Sequence, residues 1–162
     1  MLAKEVFIMQ LKRDTDFAMR TLYCLNQNND TTDPDKPAGL SLSEISMQTG
    51  VPRPTLVRLC EKLEAYGIIH SLPEENNTDP IYYSGSALLN VSLLDVIVAI
   101  EGSGEIFSVF DHRSVVYSDC GCQLQRVQNS VEKILNNASM KILFGTRRNI
   151  QTSNCSPSTK NG

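Results

Sequence analysis

Two arginines and a threonine lie close together in a short stretch of the chain without acidic residues, and this combination suits contact with DNA. Arg53 and Arg58 carry planar guanidinium groups that can donate paired hydrogen bonds to O6 and N7 of guanine. Thr55 can contact a phosphate or the methyl group of thymine. Pro52 suits the first turn of a helix, where a missing N–H costs nothing. We therefore predict that these four residues contact DNA from the start of a helix.

A second group with reactive chemistry is the pair Cys120 and Cys122, which a single glycine separates. Two neighbouring thiols can be oxidised, alkylated or bound to a soft metal, and His112 lies near them in the chain. An inert pair is the alternative, because reactivity requires a lowered thiol pKa that a sequence does not reveal. We treat the three residues as candidates for redox or effector sensing. Cys24 and Cys60 lie on apolar helix faces and are expected in the core.

Catalytic signatures are missing from the sequence. It contains no glycine-rich phosphate loop, no nucleophile elbow and no obvious pair of acids, and its two histidines stand apart. The sequence therefore predicts a protein that is not an enzyme and that holds no metal or cofactor.

The composition limits how DNA can be bound. A chain of 162 residues with 41% apolar content can bury a core, but its net charge is −3. DNA contact must then depend on a local basic patch, and Lys12 and Arg13 are further candidates for phosphate contact. No apolar run approaches the roughly 20 residues of a membrane span, and the start of the chain lacks a signal peptide's apolar core. We expect a cytoplasmic protein with reduced thiols and no membrane partner.

The elements that position the arginines are predicted by residues 41–69, SLSEISMQTGVPRPTLVRLCEKLEAYGII. Ser41 or Ser43 can cap a first helix, with Ile45 facing inward and Met47 as a flanking contact. Gly50 suits the left-handed residue that ends this helix. A second helix is predicted over residues 52–66, where four apolar residues recur at helical spacing: Leu56, Leu59, Cys60 and Leu63. The pattern is typical of a helix-turn-helix, although such helix pairs also occur in all-helical proteins that bind no nucleic acid.

Flanking segments extend this pattern to a winged helix. A first helix is predicted over residues 13–27, and a hairpin with its wing over residues 72–83 follows the helix-turn-helix. The predicted fold class is mainly α with a small β-hairpin: a winged helix-turn-helix domain plus a long C-terminal dimerisation helix. The expected division is a DNA-binding domain over 9–86, a helical dimerisation region over 87–146 and a disordered tail over 147–162.

The predicted dimerisation region contains two helices. Ser92 and Asp95 resemble a capping box before the first, and Ser139 can cap a last short segment. A loop with a sensing role is expected over residues 103–121. The long helix after it carries a narrow apolar seam that suits a partner helix, or equally the protein's own domain: Leu124, Val127, Val131 and Ile134.

This order of parts resembles the IscR/NsrR/CymR-type family of bacterial winged-helix transcription regulators. The matching segments are MQLKRDTDFAMRTLYCL, SLSEIS, VPRPTLVRLCEKLEAYGII, VSLLDVIVAIEG and CQL, which together extend over roughly residues 9–144. The resemblance implies a homodimer that binds a palindromic operator in double-stranded DNA and often acts as a repressor.

Two departures from the family pattern modify this expectation. The wing has no arginine and carries Glu74, Glu75 and Asp79, whose charges repel phosphates. Val116 and Phe110 stand where cluster-binding members have cysteines upstream of Cys122, so the chain resembles members without an iron–sulfur cluster. The acidic wing also motivates an alternative function: a winged-helix module for protein–protein contact or for small-molecule or redox sensing, with weak DNA binding.

Overall fold

The computed structural model describes residues 13–28, 39–73, 79–104 and 115–145, and in the last range it describes side chains from residue 123 onward. A short 3₁₀ helix, Ser86–Asn90, precedes the fourth α-helix. The α-helices and strands follow in the order α1 (Arg13–Gln27), β1 (Leu40–Ser41), α2 (Leu42–Thr49), α3 (Arg53–Ala65), β2 (His70–Leu72), β3 (Ile81–Tyr83), α4 (Leu93–Glu101), α5 (Val115–Asn137) and α6 (Met140–Phe144).

The helix-turn-helix forms from local signals in the sequence. Ser41 begins α2 with a capping box, in which its hydroxyl accepts from the Glu44 N–H and the Glu44 carboxylate accepts from the Ser41 N–H. Gly50 ends α2 in the left-handed conformation with φ 71°. Pro52 then occupies the N-cap of α3 and Pro54 its first turn. The predicted α2–turn–α3 unit is confirmed.

A shared apolar core holds α1 against this unit. The predicted stripe on α3 is fully buried, and Ile45 of α2 and Leu22 of α1 are also fully buried. Removing such side chains from water contributes roughly 25 cal/mol per Å² of apolar surface, which is the main term holding the three helices together. The largest fully buried side chains are Leu22, Leu25, Ile45, Leu56, Leu59, Leu63, Ile69, Leu88, Ile100, Met140, Val51 and Val96.

The wing belongs to a sheet of three antiparallel strands in the order β1–β3–β2. The predicted hairpin is present, with His70 opposite Tyr83 and Leu72 opposite Ile81. Its first strand begins at His70, and Ile68 and Ile69 before it are buried in the core. The third strand, β1, was not predicted, since two residues are too short for an alternating pattern.

Helices α4 and α6 are joined by backbone hydrogen bonds. The Leu93 N–H donates to the carbonyl of Ala138 at 2.8 Å, and the Met140 N–H donates to the carbonyl of Val91 at 2.8 Å. The predicted capping box of Ser92 and Asp95 begins α4. The end of α5 is thereby tied to the start of α4.

Two sequence predictions are wrong, and a third is confirmed only in part. Residues 103–121 are not one loop, because α5 begins at Val115 and Cys120 and Cys122 therefore lie within a helix. Met47 is 83% exposed and is not a core contact. Ser139 occupies the N-cap of α6, but its side chain makes no capping hydrogen bond.

None of the helices within the described ranges is both long and apolar enough to cross a membrane.

Candidate nucleic-acid interface

The first turns of α3 form the exposed edge of the helix-turn-helix. Pro52, Arg53, Pro54 and Arg58 are exposed, and Thr55 is half-buried. Pro54 and Arg58 are four residues apart and therefore share one face of the helix. This face lies away from the buried stripe of α3, so the structure leaves it accessible to a large partner.

Arg53 connects α3 to two other elements. Its Nη1 donates a hydrogen bond to the Ser43 hydroxyl on α2 at 2.9 Å. Its Nη2 forms an ion pair with the carboxylate of Asp79, just before β3. The Arg53 side chain is 48% exposed and the Asp79 side chain 19%. The guanidinium group thus remains reachable from solvent, while the carboxylate that holds it is mostly covered.

Arg58 makes a similar contact with α1. Its Nη2 lies 2.8 Å from Oδ2 of Asp14, and the two side chains are 49% and 33% exposed. Asp14 belongs to the first turn of α1, where a negative charge also stabilises the helix through the backbone dipole.

The third basic side chain of α3 is Lys62, in the last turn of the helix. Its ammonium group donates to the backbone carbonyl of Ile100 at 2.5 Å, near the end of α4. A cation at this position satisfies a carbonyl that has no partner within its own helix. Each of the three basic residues of α3 is thus bound to an acceptor from another element.

The remaining predicted phosphate contacts lie at the start of α1. Arg13 is exposed, and its guanidinium carbon lies 5.2 Å from the centre of the Phe17 ring. Arg20 approaches the same ring at 5.9 Å and pairs with Asp16 at 2.8 Å. Lys12 lies outside the described residues, as do Glu74 and Glu75 of the wing.

Asp14 and Ser43 were not recognised as parts of this interface from the sequence, and Asp79 was noted only as a wing acid that repels phosphates. Each lies far from its arginine in the chain. Aspartate is also common in the first turn of a helix and in turns for local reasons, so its presence there does not indicate a distant partner. No sequence pattern therefore pointed to the two ion pairs.

The predicted dimerisation residues on α5 fall into two classes. Val127 is 47% exposed and Ile134 is 68% exposed, while Leu124 and Val131 are partly buried. The other side of α5 faces its own chain, where the buried Gln128 donates to the carbonyl of Gly104 at 3.1 Å. On α6, Ile142 and Leu143 are also exposed, at 69% and 44%.

The cysteines within the described core are unsuited to reaction as thiolates. Cys60 is fully buried, and burial together with the nearby Glu64 and Glu61 raises its pKa to about 12. Burial also raises the pKa of Cys24. Both cysteines are core residues, as predicted. His112 and the side chains of Cys120 and Cys122 lie outside the described part of the structure, so their sensing role stays a prediction.

Among the side chains that the structure describes, no group of histidine, cysteine, aspartate and glutamate residues is arranged to hold a metal ion.

Comparison with known proteins agrees with this geometry. The model of the IclR helix-turn-helix domain matches residues 35–73, which include α2, α3 and β2. No curated protein matches the chain by sequence.

Solved structures resemble a much larger part of the chain. CymR of B. subtilis, described as its global cysteine regulator, has a TM-score of 0.63 at 16% identity, over 85% of this chain and 97% of that one. The oxidised form of Staphylococcus aureus CymR has a TM-score of 0.59 at 17% identity, over 85% and 98%. T. potens IscR has a TM-score of 0.59 at 19% identity, over 83% and 85%.

The fold and the helix-turn-helix together define a winged-helix protein of the class to which DNA-binding transcription regulators belong. Within that class the chain has the architecture of CymR and IscR, which confirms the predicted resemblance at the level of the fold. The matched family model is a helix-turn-helix domain and B. subtilis CymR is described as a regulator, and neither description indicates an enzyme.

Proposed function

We propose that this protein is a homodimeric transcription repressor that reads a palindromic operator with the first turns of α3. The observation that carries the proposal is the exposed edge of α3, where Arg53 and Arg58 remain about half accessible in a helix-turn-helix. Arginine is the residue best suited to paired hydrogen bonds with guanine. Thr55 lies between the two arginines and supplies a shorter polar contact.

A homodimer would present two copies of α3. The symmetry of a two-fold dimer favours a palindromic operator, whose half-sites are centred about 34–36 Å apart along the DNA. Support comes from the exposed valine and isoleucine of α5, and the repressor role follows from the family resemblance. Arg13 at the start of α1 would then contact the phosphate backbone.

The first test is selection of binding sequences from a pool of random duplexes, followed by titration of the selected duplex. We expect a palindrome to be enriched. Replacing Arg58 with alanine should weaken binding by about 1–3 kcal/mol and relax the preference at one base pair of each half-site. Fluorescence anisotropy at fixed salt concentration measures the affinity.

Arg20→Ala is the matched control, because Arg20 is also exposed and also paired with an aspartate but lies on α1. It should change the affinity much less than Arg58→Ala. Failure to enrich any sequence, with no retention of DNA even at low salt, would contradict the proposal. Repression is tested separately by placing the selected palindrome in a reporter promoter, where the protein should lower transcription.

A second candidate function is protein–protein contact or small-molecule or redox sensing with weak DNA binding. The observation that favours it is the pairing of both arginines of α3 with aspartates of the same chain. In that case Arg53→Ala and Arg58→Ala would leave partner or ligand binding unchanged, and neither variant would alter the already weak DNA binding.

A further inference from the structure

We infer that Asp14 and Asp79 compete with DNA for the arginines of α3, holding each arginine in the free protein and releasing it when the operator binds. The inference rests on the proposed function and concerns how strongly the same surface binds DNA. Arg53 pairs with Asp79 and Arg58 pairs with Asp14, so each guanidinium charge is neutralised at short range.

The exposure of the two arginines indicates that the pairs can open. Each arginine side chain is about half exposed, at 48% and 49%. Ion pairs at such positions are weak, because water solvates both charges and holding two long side chains in one geometry costs entropy. A phosphate or a guanine edge can therefore replace the carboxylate without unfolding any element.

The carboxylates also act on DNA directly. An aspartate that remains beside the interface after release repels the phosphates that approach it, since two negative charges are brought close in a partly desolvated space. Asp79 is the less exposed of the two, at 19% against 33% for Asp14, so salt screens it less. We therefore expect Asp79 to oppose binding more strongly than Asp14.

The same contacts would have the opposite effect if they oriented the arginines for DNA. An aspartate that fixes a guanidinium group in the geometry needed for guanine would strengthen binding. In the structure, however, the terminal nitrogens of Arg53 are used by Ser43 and Asp79, one contact each. Each terminal nitrogen keeps a second N–H for DNA, but the Asp79 carboxylate neutralises the guanidinium charge that strengthens contact with guanine or phosphate, which favours competition over orientation.

The test replaces each aspartate with asparagine, which keeps its shape and removes its charge. Asp14→Asn and Asp79→Asn are compared with Asp16→Asn, which makes the same change in net charge two residues from Asp14 but on a residue that pairs with Arg20. Affinity for the selected duplex is measured over a series of salt concentrations, and thermal unfolding verifies that each variant is folded.

We expect Asp79→Asn and Asp14→Asn each to bind about two- to fivefold more tightly than Asp16→Asn, the change expected from a weak exposed ion pair. Where the released arginine reaches a phosphate, the slope of log K against log salt becomes steeper by about 0.9. Affinities equal to that of Asp16→Asn, or weaker, would overturn the inference, and weaker binding would mean that the aspartates orient the arginines.

Retention on heparin, a sulfated polyanion, separates this inference from the proposed function. If the aspartates neutralise the arginines, Asp14→Asn and Asp79→Asn elute from heparin at higher salt than Asp16→Asn. Higher elution without binding of any duplex would show that the aspartates neutralise the arginines, but it would refute the proposed function and with it the competition with DNA. Operator binding by the wild type, with the three variants identical in both assays, would refute the inference and leave the function standing.

Discussion

Arg53 joins three elements through one guanidinium group. It begins α3, donates to Ser43 on α2 and pairs with Asp79 at the entry to β3. Replacing it therefore changes both the proposed DNA surface and the attachment of the wing. Lysine at this position would keep the charge but lose the planar geometry that reaches two partners at once. Arg58, with its single partner on α1, is the cleaner probe of DNA reading.

At the same scale, Cys60 connects the core to the pH dependence of stability. Its pKa is raised from 9.0 to about 12 in the folded protein, so the folded state favours the neutral thiol. The stability due to this group is fully present below pH 9 and is lost as the pH rises from about 9 towards 12. The buried Tyr82, whose pKa is raised from 10.0 to about 12, acts in the same direction.

We predict that the free energy of unfolding, measured with urea between pH 7 and 11, decreases above about pH 9. The limiting slope for one such group is about 1.4 kcal/mol per pH unit. Cys60→Ala should be less stable at pH 7 because it leaves a small cavity, but its stability should decrease less steeply with pH. Equal slopes for the wild type and Cys60→Ala would show that Cys60 is not responsible.

At the scale of elements, the short strand β1 explains a glycine between the first helix and the helix-turn-helix. Gly39 precedes β1, where the chain passes close to β3. A Cβ atom on Gly39 would lie 2.6 Å from Cγ2 of Ile81 and 2.7 Å from the carbonyl oxygen of Tyr82. The carbonyl belongs to the backbone of β3 and cannot move without disturbing the sheet.

Gly39→Ala should therefore destabilise the protein by about 1–3 kcal/mol, the usual cost of overpacking. The decrease in Tm, followed by circular dichroism, measures it. Gly85→Ala is the matched control, because the nearest atom to its Cβ would be 3.8 Å away and its φ of −71° suits any residue. A similar Tm for the two variants would contradict the close approach of β1 to β3.

At the scale of the whole molecule, the exposed apolar face of α5 is the surface through which we propose that two copies meet. Val127 and Ile134 are seven residues apart and so lie on one side of the helix. The buried Gln128 attaches α5 to its own chain, as do the backbone hydrogen bonds between α4 and the end of α5. One side of α5 is thus committed to its own domain and the other is available to a partner.

We predict that the double variant Val127→Glu, Ile134→Glu is a folded monomer, because it places charges where two apolar faces would meet. Light scattering coupled to gel filtration measures the mass. The variant should lose affinity for the full palindrome and bind it no better than a single half-site.

Asn129→Glu serves as the control, since Asn129 is exposed and does not share the face of α5 that carries Val127 and Ile134. It should remain dimeric. A double variant that keeps the mass of a dimer would place the dimer interface elsewhere on the molecule.

Local patterns accounted for most of the elements. The bounds of α1, a serine cap for α2, the capping box that begins α4 and the buried stripe of α3 were all predicted from local patterns. Helix periodicity and capping depend on short separations in the chain, so the sequence states them directly. The start of α5 was missed, since the segment up to residue 121 was predicted to be a loop and the helix begins at Val115.

The candidate interface was predictable only in part. The sequence was sufficient to place Arg53 at the start of the second helix and Arg58 off its apolar stripe. Their partners, Asp14 on α1 and Asp79 beside β3, were brought to them by the packing of α1 and the wing around α3. The tertiary structure alone decides which charges become neighbours, since an ion pair depends on distance in space, and these residues are far apart in the chain.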